Sequence, residues 1–281
     1  MFKKLIEKGT IHFILIATSL LSIFPFIWLT STSLKGLGED IFAYPPKLIP
    51  VDFTWSNYVD VWGKVDFMAY FWNSVIVAAL TVILNLILSS LAAYPLARMS
   101  FKGKKVVFFS ILATIMIPFQ AIMLPVYIIT LKLHLIDSVN SVMGYIGLVM
   151  PFAVSAFGIF LMRQAFLKVP KEVEEAAIVD GCNVFQMFVK VVLPMVKPTL
   201  AVLAVFTFIG SWGEFLWPSI MLTKESMYTL PVGINNLQGM FSSNWRFIAA
   251  GSIISTIPII IFFLAMQRYF ISGENDGAVK G

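Results

Sequence analysis

Charged residues are scarce in this chain. They make up 12% of its 281 residues, whereas soluble domains carry roughly 25%. The mean hydropathy is correspondingly high, at +0.88, and 59% of the residues are hydrophobic. This composition excludes an ordinary soluble domain and indicates a protein embedded in lipid.

Cysteine, histidine and the common catalytic motifs are also nearly or wholly lacking. The single Cys182 excludes an intramolecular disulfide and a cysteine-cluster metal site. No Gly-x-x-x-x-Gly-Lys-Ser/Thr, His-Glu-x-x-His or Gly-x-Ser-x-Gly sequence occurs, and His12 and His134 are isolated. The sequence therefore predicts no catalysis, no cofactor and no metal, and any ATP hydrolysis must come from another chain.

What the sequence does contain is long apolar runs. Each exceeds the ~20 residues that a helix needs to cross a hydrocarbon core about 30 Å thick. Lipid offers no hydrogen-bond partners, so such runs satisfy their backbone groups only as helices. The runs cover residues 11–34, 71–96, 106–131, 141–162, 199–222 and 247–267. We therefore predict an all-α, polytopic protein of the cell membrane, with six transmembrane helices in a single domain over residues 1–281.

The first apolar run follows a basic N-terminus and could be either a cleaved secretion signal or a transmembrane helix. It is longer than the apolar part of a secretion signal, and residues 30–35 offer no cleavage site of the Ala-x-Ala kind. We predict an uncleaved first span.

Lysine and arginine are distributed unevenly between the alternate connections. With the N-terminus inside, the cytoplasmic segments hold fourteen of them and the outer segments hold six. Cytoplasmic loops of membrane proteins carry the excess of positive charge. Both termini are therefore predicted to be cytoplasmic. The net charge of +5 reflects this topology and does not indicate a nucleic-acid partner.

The segment 35–70 is predicted to be extracytoplasmic. Pro45, Pro46 and Pro50 favour an extended chain over a helix. Its many aromatic residues fit either a surface for an external partner or a belt at the membrane interface.

Three residues in or beside the spans are candidates for a substrate path. Gln120 follows Pro118, which breaks the third run, and Glu214 is the only acid placed inside a span. A buried acid must face the bundle interior or water. A carboxylate beside an aromatic ring, here Trp212, can hold a sugar, but both residues also fit a helix–helix contact.

The long polar stretch 163–198 separates the fourth and fifth runs. We predict a helix over residues 170–182, with Pro170 at its first position and Gly181 at its exit. Its small face would include Ala176 and Ala177. Asn183 is predicted to cap a second helix that ends at Leu193-Pro194. By itself this pattern predicts an interfacial helix-turn-helix.

The order of residues in this stretch resembles the docking loop of ABC importer permeases. The resemblance rests on Glu175-Ala176-Ala177, Asp180-Gly181 and Leu193-Pro194, placed between the fourth and fifth of six spans. Further stretches look like carbohydrate-uptake permeases of the maltose type, in particular the six-span G-type subunit. They are Ser33-Leu34-Lys35, Asn57-Tyr58, Asn73-Ser74, Ala92-Ala93-Tyr94, Leu96-Ala97-Arg98, Ile117-Pro118-Phe119-Gln120 and Gly277-Ala278-Val279-Lys280-Gly281. The resemblance covers essentially the whole chain. Gly213 departs from it, because this group often has Asn before the Glu.

The resemblance implies a subunit that moves a sugar, such as an oligosaccharide, from a binding protein into the cytoplasm by alternating access. It implies a second, paralogous permease and a dimer of ATP-hydrolysing subunits as partners, within a lipid membrane. The ATPase would be docked by Glu175, Ala176, Ala177, Asp180, Gly181, Leu193 and Pro194.

Three alternatives remain at this point. A permease for a polyamine, phosphate or an amino acid would share the docking loop. An ion-coupled secondary transporter usually carries ionisable residues in several spans, and here only Glu214 qualifies. A membrane enzyme would need paired acids or a metal cluster at membrane depth.

Overall fold

The computed structural model describes residues 2–64, 66–138, 140–240 and 245–275, and within these ranges the chain is helical with no β-strand. The helices are α1 Phe2–Ser33, α2 Ser56–Lys64, α3 Phe67–Arg98, α4 Lys104–Thr114, α5 Phe119–Lys132, α6 Ser141–Val149, α7 Ala156–Lys168, α8 Lys171–Val179, α9 Val184–Met187, α10 Leu193–Met195, α11 Lys197–Trp212, α12 Leu216–Met221, α13 Leu230–Met240 and α14 Trp245–Asn275. Two compact units share them: one comprises the described residues of Met1–Met68 and Gly233–Ile257, the other those of Ala69–Val232 and Pro258–Gly281.

Three helices are long and apolar enough to cross a membrane without interruption. They are α1 over Lys8–Ser33, α3, and α14 over Trp245–Tyr269. Three further candidates are bent pairs, so the described residues hold three continuous spans, or up to six if each pair counts as one. The all-helical prediction is confirmed, and α1 is a continuous helix.

The bent pairs show where the predicted runs are interrupted. Helices α4 and α5 meet at 98°, and the segments Ser141–Phe152 and Ala156–Lys168 meet at 56°. Pro118 is the N-cap of α5, with extended backbone. It has no N–H to continue α4, so the break predicted there is confirmed.

Aromatic packing forms the centre of the second unit. The ring centroid of Tyr94 on α3 lies 5.8 Å from Phe166 on α7 and 4.9 Å from Phe188, and those two are 6.0 Å apart. All three residues are buried. Their contacts fix the loop after α7 against α3.

One of the connecting segments differs from its prediction. The segment 35–70 is not extended throughout, because Ser56–Lys64 forms α2; its prolines end at Pro50, so nothing after that position disfavours a helix. The C-terminal stretch Gly277-Ala278-Val279-Lys280-Gly281 lies outside the described residues.

Candidate functional site

The predicted docking helix is present as α8. It begins at Lys171, one residue later than predicted, since Pro170 is its N-cap with ψ of 139°. At its end Gly181 has φ of 81°. The N–H of Cys182 donates to the Ala177 carbonyl at 2.9 Å, and that of Gly181 donates to Ile178 at 3.0 Å. This pair of bonds is a Schellman motif, whose left-handed residue is usually glycine.

The second helix of the loop begins as predicted. The Asn183 Oδ1 accepts from the Gln186 N–H at 2.8 Å, and the Gln186 side chain accepts from the Asn183 N–H at 3.0 Å. This is a capping box. It fixes the direction of α9 directly after the end of α8.

The second helix was predicted to end at Leu193-Pro194, but it ends one residue later, at Met195. The chain passes through a π-turn at Phe188–Val192 and continues as α10, through Pro194, to Met195. The turn towards α11, at 79°, follows α10. A wider turn before Pro194 relieves the clash that a proline ring makes with the carbonyl four residues earlier.

A buried ion pair connects α8 to α3. The Arg98 Nε lies 2.9 Å from the Glu174 Oε1, with side chains 9% and 15% exposed. The Arg98 Nη2 also donates to the Val169 carbonyl, just before α8. Arg98 therefore holds both the entry and the first turn of the docking helix.

The exposed face of α8 differs from the predicted one. Ala177 is buried within the chain's own core, whereas Glu175 and Ala176 are exposed. Ile178 and Val179 are 60% and 86% exposed. The packing of α8 against the segment Phe188–Val192 and the surrounding core therefore divides the alanine pair and turns two branched apolar residues outward.

Beside this face lies an open groove of about 940 Å³. It runs between α8 and the connection from α3 to α4. Both signs of charge line it, from Arg98, Lys104, Lys105, Lys171, Glu174 and Glu175.

A second cavity, of about 700 Å³, lies within the same unit. Residues from three helix interruptions line it: Ile115 and Ile117 between α4 and α5, Val154 and Ser155 before α7, and Glu214 after α11. Non-helical backbone at membrane depth is tolerated where it lines a cavity.

Helix α3 supplies an uninterrupted wall to this cavity through Thr81 and Asn85. The Asn85 Nδ2 donates to the Phe152 carbonyl at 3.0 Å, and its Oδ1 accepts from Ser89 at 3.3 Å. A Cβ on Gly158 would lie 2.6 Å from the Ser89 Oγ. This glycine therefore allows α7 to approach α3 closely.

Of the three predicted path residues, only Glu214 lines the cavity. Its Oε1 accepts from the Trp217 N–H at 3.1 Å, at the start of α12. Trp212 is 2% exposed and stacks on Phe208 at 5.5 Å, so it packs inside the protein. Gln120 is exposed on α5. Four phenylalanines line the cavity instead, namely Phe119, Phe152, Phe157 and Phe206.

The segment 34–58, in the first unit, is ordered by buried polar side chains. The Asn57 Nδ2 donates to the Ser33 and Lys35 carbonyls, each at 2.9 Å. The Glu39 Oε2 accepts from the Val51 N–H at 2.9 Å and from that of Asp52 at 3.2 Å.

Two charges of this segment, on Lys35 and Glu39, are paired with each other. The Lys35 Nζ donates to the Lys47 carbonyl at 2.6 Å and lies 3.7 Å from the Glu39 Oε1. Burial opposes ionisation of Glu39, but the Asp52 and Val51 N–H groups and the lysine charges outweigh it, so the pKa of Glu39 is lowered.

Residues 85–273, which contain α8 and most of the cavity lining, match the family described as the binding-protein-dependent transport system inner membrane component. The chain belongs to this family.

Two relatives are similar over nearly the whole chain. The arabinooligosaccharides transport system permease protein AraQ of Bacillus subtilis (strain 168) is 36% identical over 272 residues, covering 94% of this chain and 92% of that protein. The lactose transport system permease protein LacG of Rhizobium radiobacter is 32% identical over 267 residues, covering 95% and 94%.

A solved structure is similar in fold. It is the crystal structure of a bacterial ABC transporter involved in the import of the acidic polysaccharide alginate, with a TM-score of 0.79 and 28% identity over 93% of this chain and 96% of that one. The predicted likeness to carbohydrate-uptake permeases is thus confirmed. So is the prediction of a multi-pass inner-membrane component with a transport role.

The sequence did not predict the partners of Arg98 and Asn85. Each bonds to residues distant in the chain, and no local pattern connects such positions. The one signal for Arg98 was its place at the end of a long apolar run, where a charged head is retained only with a partner or at the membrane surface.

Proposed function

We propose that this chain is the permease subunit of an ATP-driven importer that moves an oligosaccharide from a binding protein into the cytoplasm. In this proposal both termini and the docking loop, residues 163–198, are cytoplasmic, and residues 1–281 act as one transmembrane permease domain. The named sugars of the similar permeases support an oligosaccharide cargo.

The observation that carries the proposal is the geometry of α8. A Schellman motif defines its end, a capping box begins the next helix directly after it, and Arg98 holds its beginning. A helix held in this way can transmit a push or pull without bending. Its exposed Glu175, Ala176 and Val179 would enter a cleft on one ATP-hydrolysing subunit, as an apolar helix face enters a groove.

Helix α3 would transmit this motion. It runs without a break from Phe67 to Arg98, so the Arg98–Glu174 pair lies at one end and the cavity wall at Asn85 lies further along. Closure of an ATPase dimer would move α8 and α3 together and reshape the cavity. That is alternating access by rigid-body motion.

The cavity would be this chain's share of the sugar path. Glu214 would accept hydroxyl hydrogens, since a carboxylate has two acceptor oxygens. Trp212 would support Glu214 by packing. Gln120, Leu193 and Pro194 remain proposals for the path and for docking. A paralogous permease would complete the path, and a dimer of ATP-hydrolysing subunits would drive it.

Site-specific cross-linking tests the docking. We expect the variant Val179→Cys, in a Cys182→Ser background, to be captured by the ATPase subunit of the intact importer. The matched control is Val142→Cys in the same background, because Val142 is 62% exposed at the start of α6 and is predicted to lie on the opposite side. Capture of the Val142→Cys variant without capture of the Val179→Cys variant would reverse the proposed topology.

Uptake by the intact importer in vesicles tests the cargo. Neutral oligosaccharides should be taken up with ATP and a binding protein present. Uptake of a polyamine, phosphate or an amino acid, without any sugar uptake, would instead support the alternative permease class.

A further inference from the structure

We infer that the path through this subunit selects neutral saccharides against acidic ones, because a carboxylate is the single charged group among the described residues on its wall. The inference rests on the proposed function and specifies its substrate class. It separates this chain from the similar transporter whose cargo is the acidic polysaccharide alginate.

The charge of the cavity wall is the first part of the argument. Among the described residues that line the cavity, Glu214 is charged and none is lysine, arginine or histidine. Its carboxylate is fixed in place, since one oxygen accepts from the Trp217 N–H. The other oxygen can accept a hydrogen bond from a sugar hydroxyl.

Arg163 on α7 does not line the cavity and is engaged elsewhere. The Arg163 Nε donates to the Leu96 carbonyl at 3.0 Å, and its guanidinium lies over the Phe108 ring, 4.0 Å from the centroid. Arg163 is therefore held by contacts outside the cavity. A uronic acid in the cavity would lose water without gaining a cation from the described wall.

The rest of the wall suits an uncharged sugar. Thr207 and Ser211 supply hydroxyl groups, and phenylalanine rings offer apolar faces. The polar side chains of Thr81, Asn85 and Ser155 are hydrogen-bonded within the protein and hold the wall in shape. The rings pair closely, with Phe119 and Phe152 centroids 4.9 Å apart. Hydroxyls and C–H faces of a neutral sugar match both kinds of group.

Direct binding to the purified complete importer, without the binding protein, tests the selectivity of the path itself. The probes are a neutral arabinose pentasaccharide and a uronic acid pentasaccharide, measured by calorimetry at low salt. We expect the neutral probe to bind about tenfold more tightly, from repulsion between like charges in a partly desolvated site.

Glu214→Gln removes the charge but keeps an oxygen that can cap α12. We expect the preference for the neutral probe to shrink severalfold, chiefly through tighter binding of the acidic probe. The matched control is Glu225→Gln, whose Oε1 accepts from the Tyr70 hydroxyl at 2.9 Å and which does not line the cavity; it should keep the wild-type preference.

A second measurement needs no variant. Raising the salt concentration should narrow the preference of the wild-type importer, because salt screens charge repulsion. Equal binding of both probes at low salt would overturn the inference but not the proposed function. A preference that is unchanged in Glu214→Gln would do the same. If neither probe binds and neither stimulates ATP hydrolysis with a binding protein added, the proposed function fails as well.

Discussion

Hydrogen bonds order both the docking loop and the segment 34–58, but the bonded residues are close in sequence in the loop and further apart in the segment. In the docking loop the caps join residues that are close in sequence, as in the Cys182–Ala177 and Asn183–Gln186 bonds. In the segment 34–58 the bonds join more distant residues: Asn57 donates to the Ser33 carbonyl, and the Val51 N–H donates to Glu39. Each belongs to a different compact unit.

The difference explains why one segment was predicted well and the other was not. Local caps leave a sequence signature, since the cap residue and its partner lie within a few positions. Side chains that bind distant carbonyls leave none. The docking loop also contacts distant residues, through the ion pair with Arg98 and through the packing of Phe188 on Tyr94. Substitutions at the local caps and at the distant contacts test that division.

The largest effect is expected at the ion pair with Arg98. Arg98→Ala would leave Glu174 mostly buried without its cation, which costs about 3 kcal/mol of unfolding free energy. Loss of the link should also uncouple sugar-stimulated ATP hydrolysis from uptake. Denaturant unfolding in detergent and a transport assay measure both. The double variant Arg98→Ala with Glu174→Ala should recover part of the stability. No loss in the single variant would mean that the local caps and core packing hold α8 without Arg98.

Asn57→Ala should produce the next largest effect. It removes the donor to two carbonyls, those of Ser33 and Lys35, at a buried position. We expect a loss of about 2 kcal/mol, because buried acceptors are left unpaired. Faster proteolysis of the segment 34–58 would report it. Ser56→Ala, at the exposed neighbouring position, is the control and should cleave at the wild-type rate.

Gly181→Val tests the end of α8. The valine Cβ would meet no atom within 4 Å, so the cost is the left-handed backbone alone, about 1–2 kcal/mol. When Gly181→Val is combined with Val179→Cys, cross-linking to the ATPase subunit should also be weaker than with Val179→Cys alone. Gly181→Asn, which tolerates this conformation better, should stay close to wild type. Equal loss in both variants would point to the side chain instead of the backbone.

Asn183→Ala removes one half of the capping box. We expect a loss of about 1 kcal/mol, observed as a lower midpoint of denaturant unfolding. Gln186→Ala removes the reciprocal bond and should cost less, since the helix N-cap bond remains. A larger loss for Gln186→Ala would contradict the assignment of the cap.

The smallest effect is a dependence on pH in the segment 34–58. Because the pKa of Glu39 lies below its ordinary value of 4.5, its ionised form stabilises the segment above that value. This stability should disappear as the pH falls through the lowered pKa. Proteolysis of the segment should therefore accelerate at acidic pH. In Glu39→Gln the acceleration should be absent; an unchanged profile would assign it to another group.

Much of the helical architecture was predictable from composition. The runs 71–96 and 247–267 lie within the continuous helices α3 and α14, and the break at Pro118 was located by its missing donor. The predicted face of α8 was wrong for Ala177, because packing against the core decides which side of a short helix faces outward. Trp212 was a candidate both for a sugar contact and for a helix–helix contact, and its ring packs against Phe208.

The sequence by itself determined that this chain is a helical membrane permease, where its long apolar runs lie, and how the loop after the fourth run is capped. Those features follow from apolar length and from bonds between near neighbours. Only the tertiary structure decided that Arg98 holds the docking helix, that three helix interruptions meet at one cavity, and that Glu214 supplies its charge. Such contacts join residues far apart in the chain, and their energies depend on burial that no local pattern specifies.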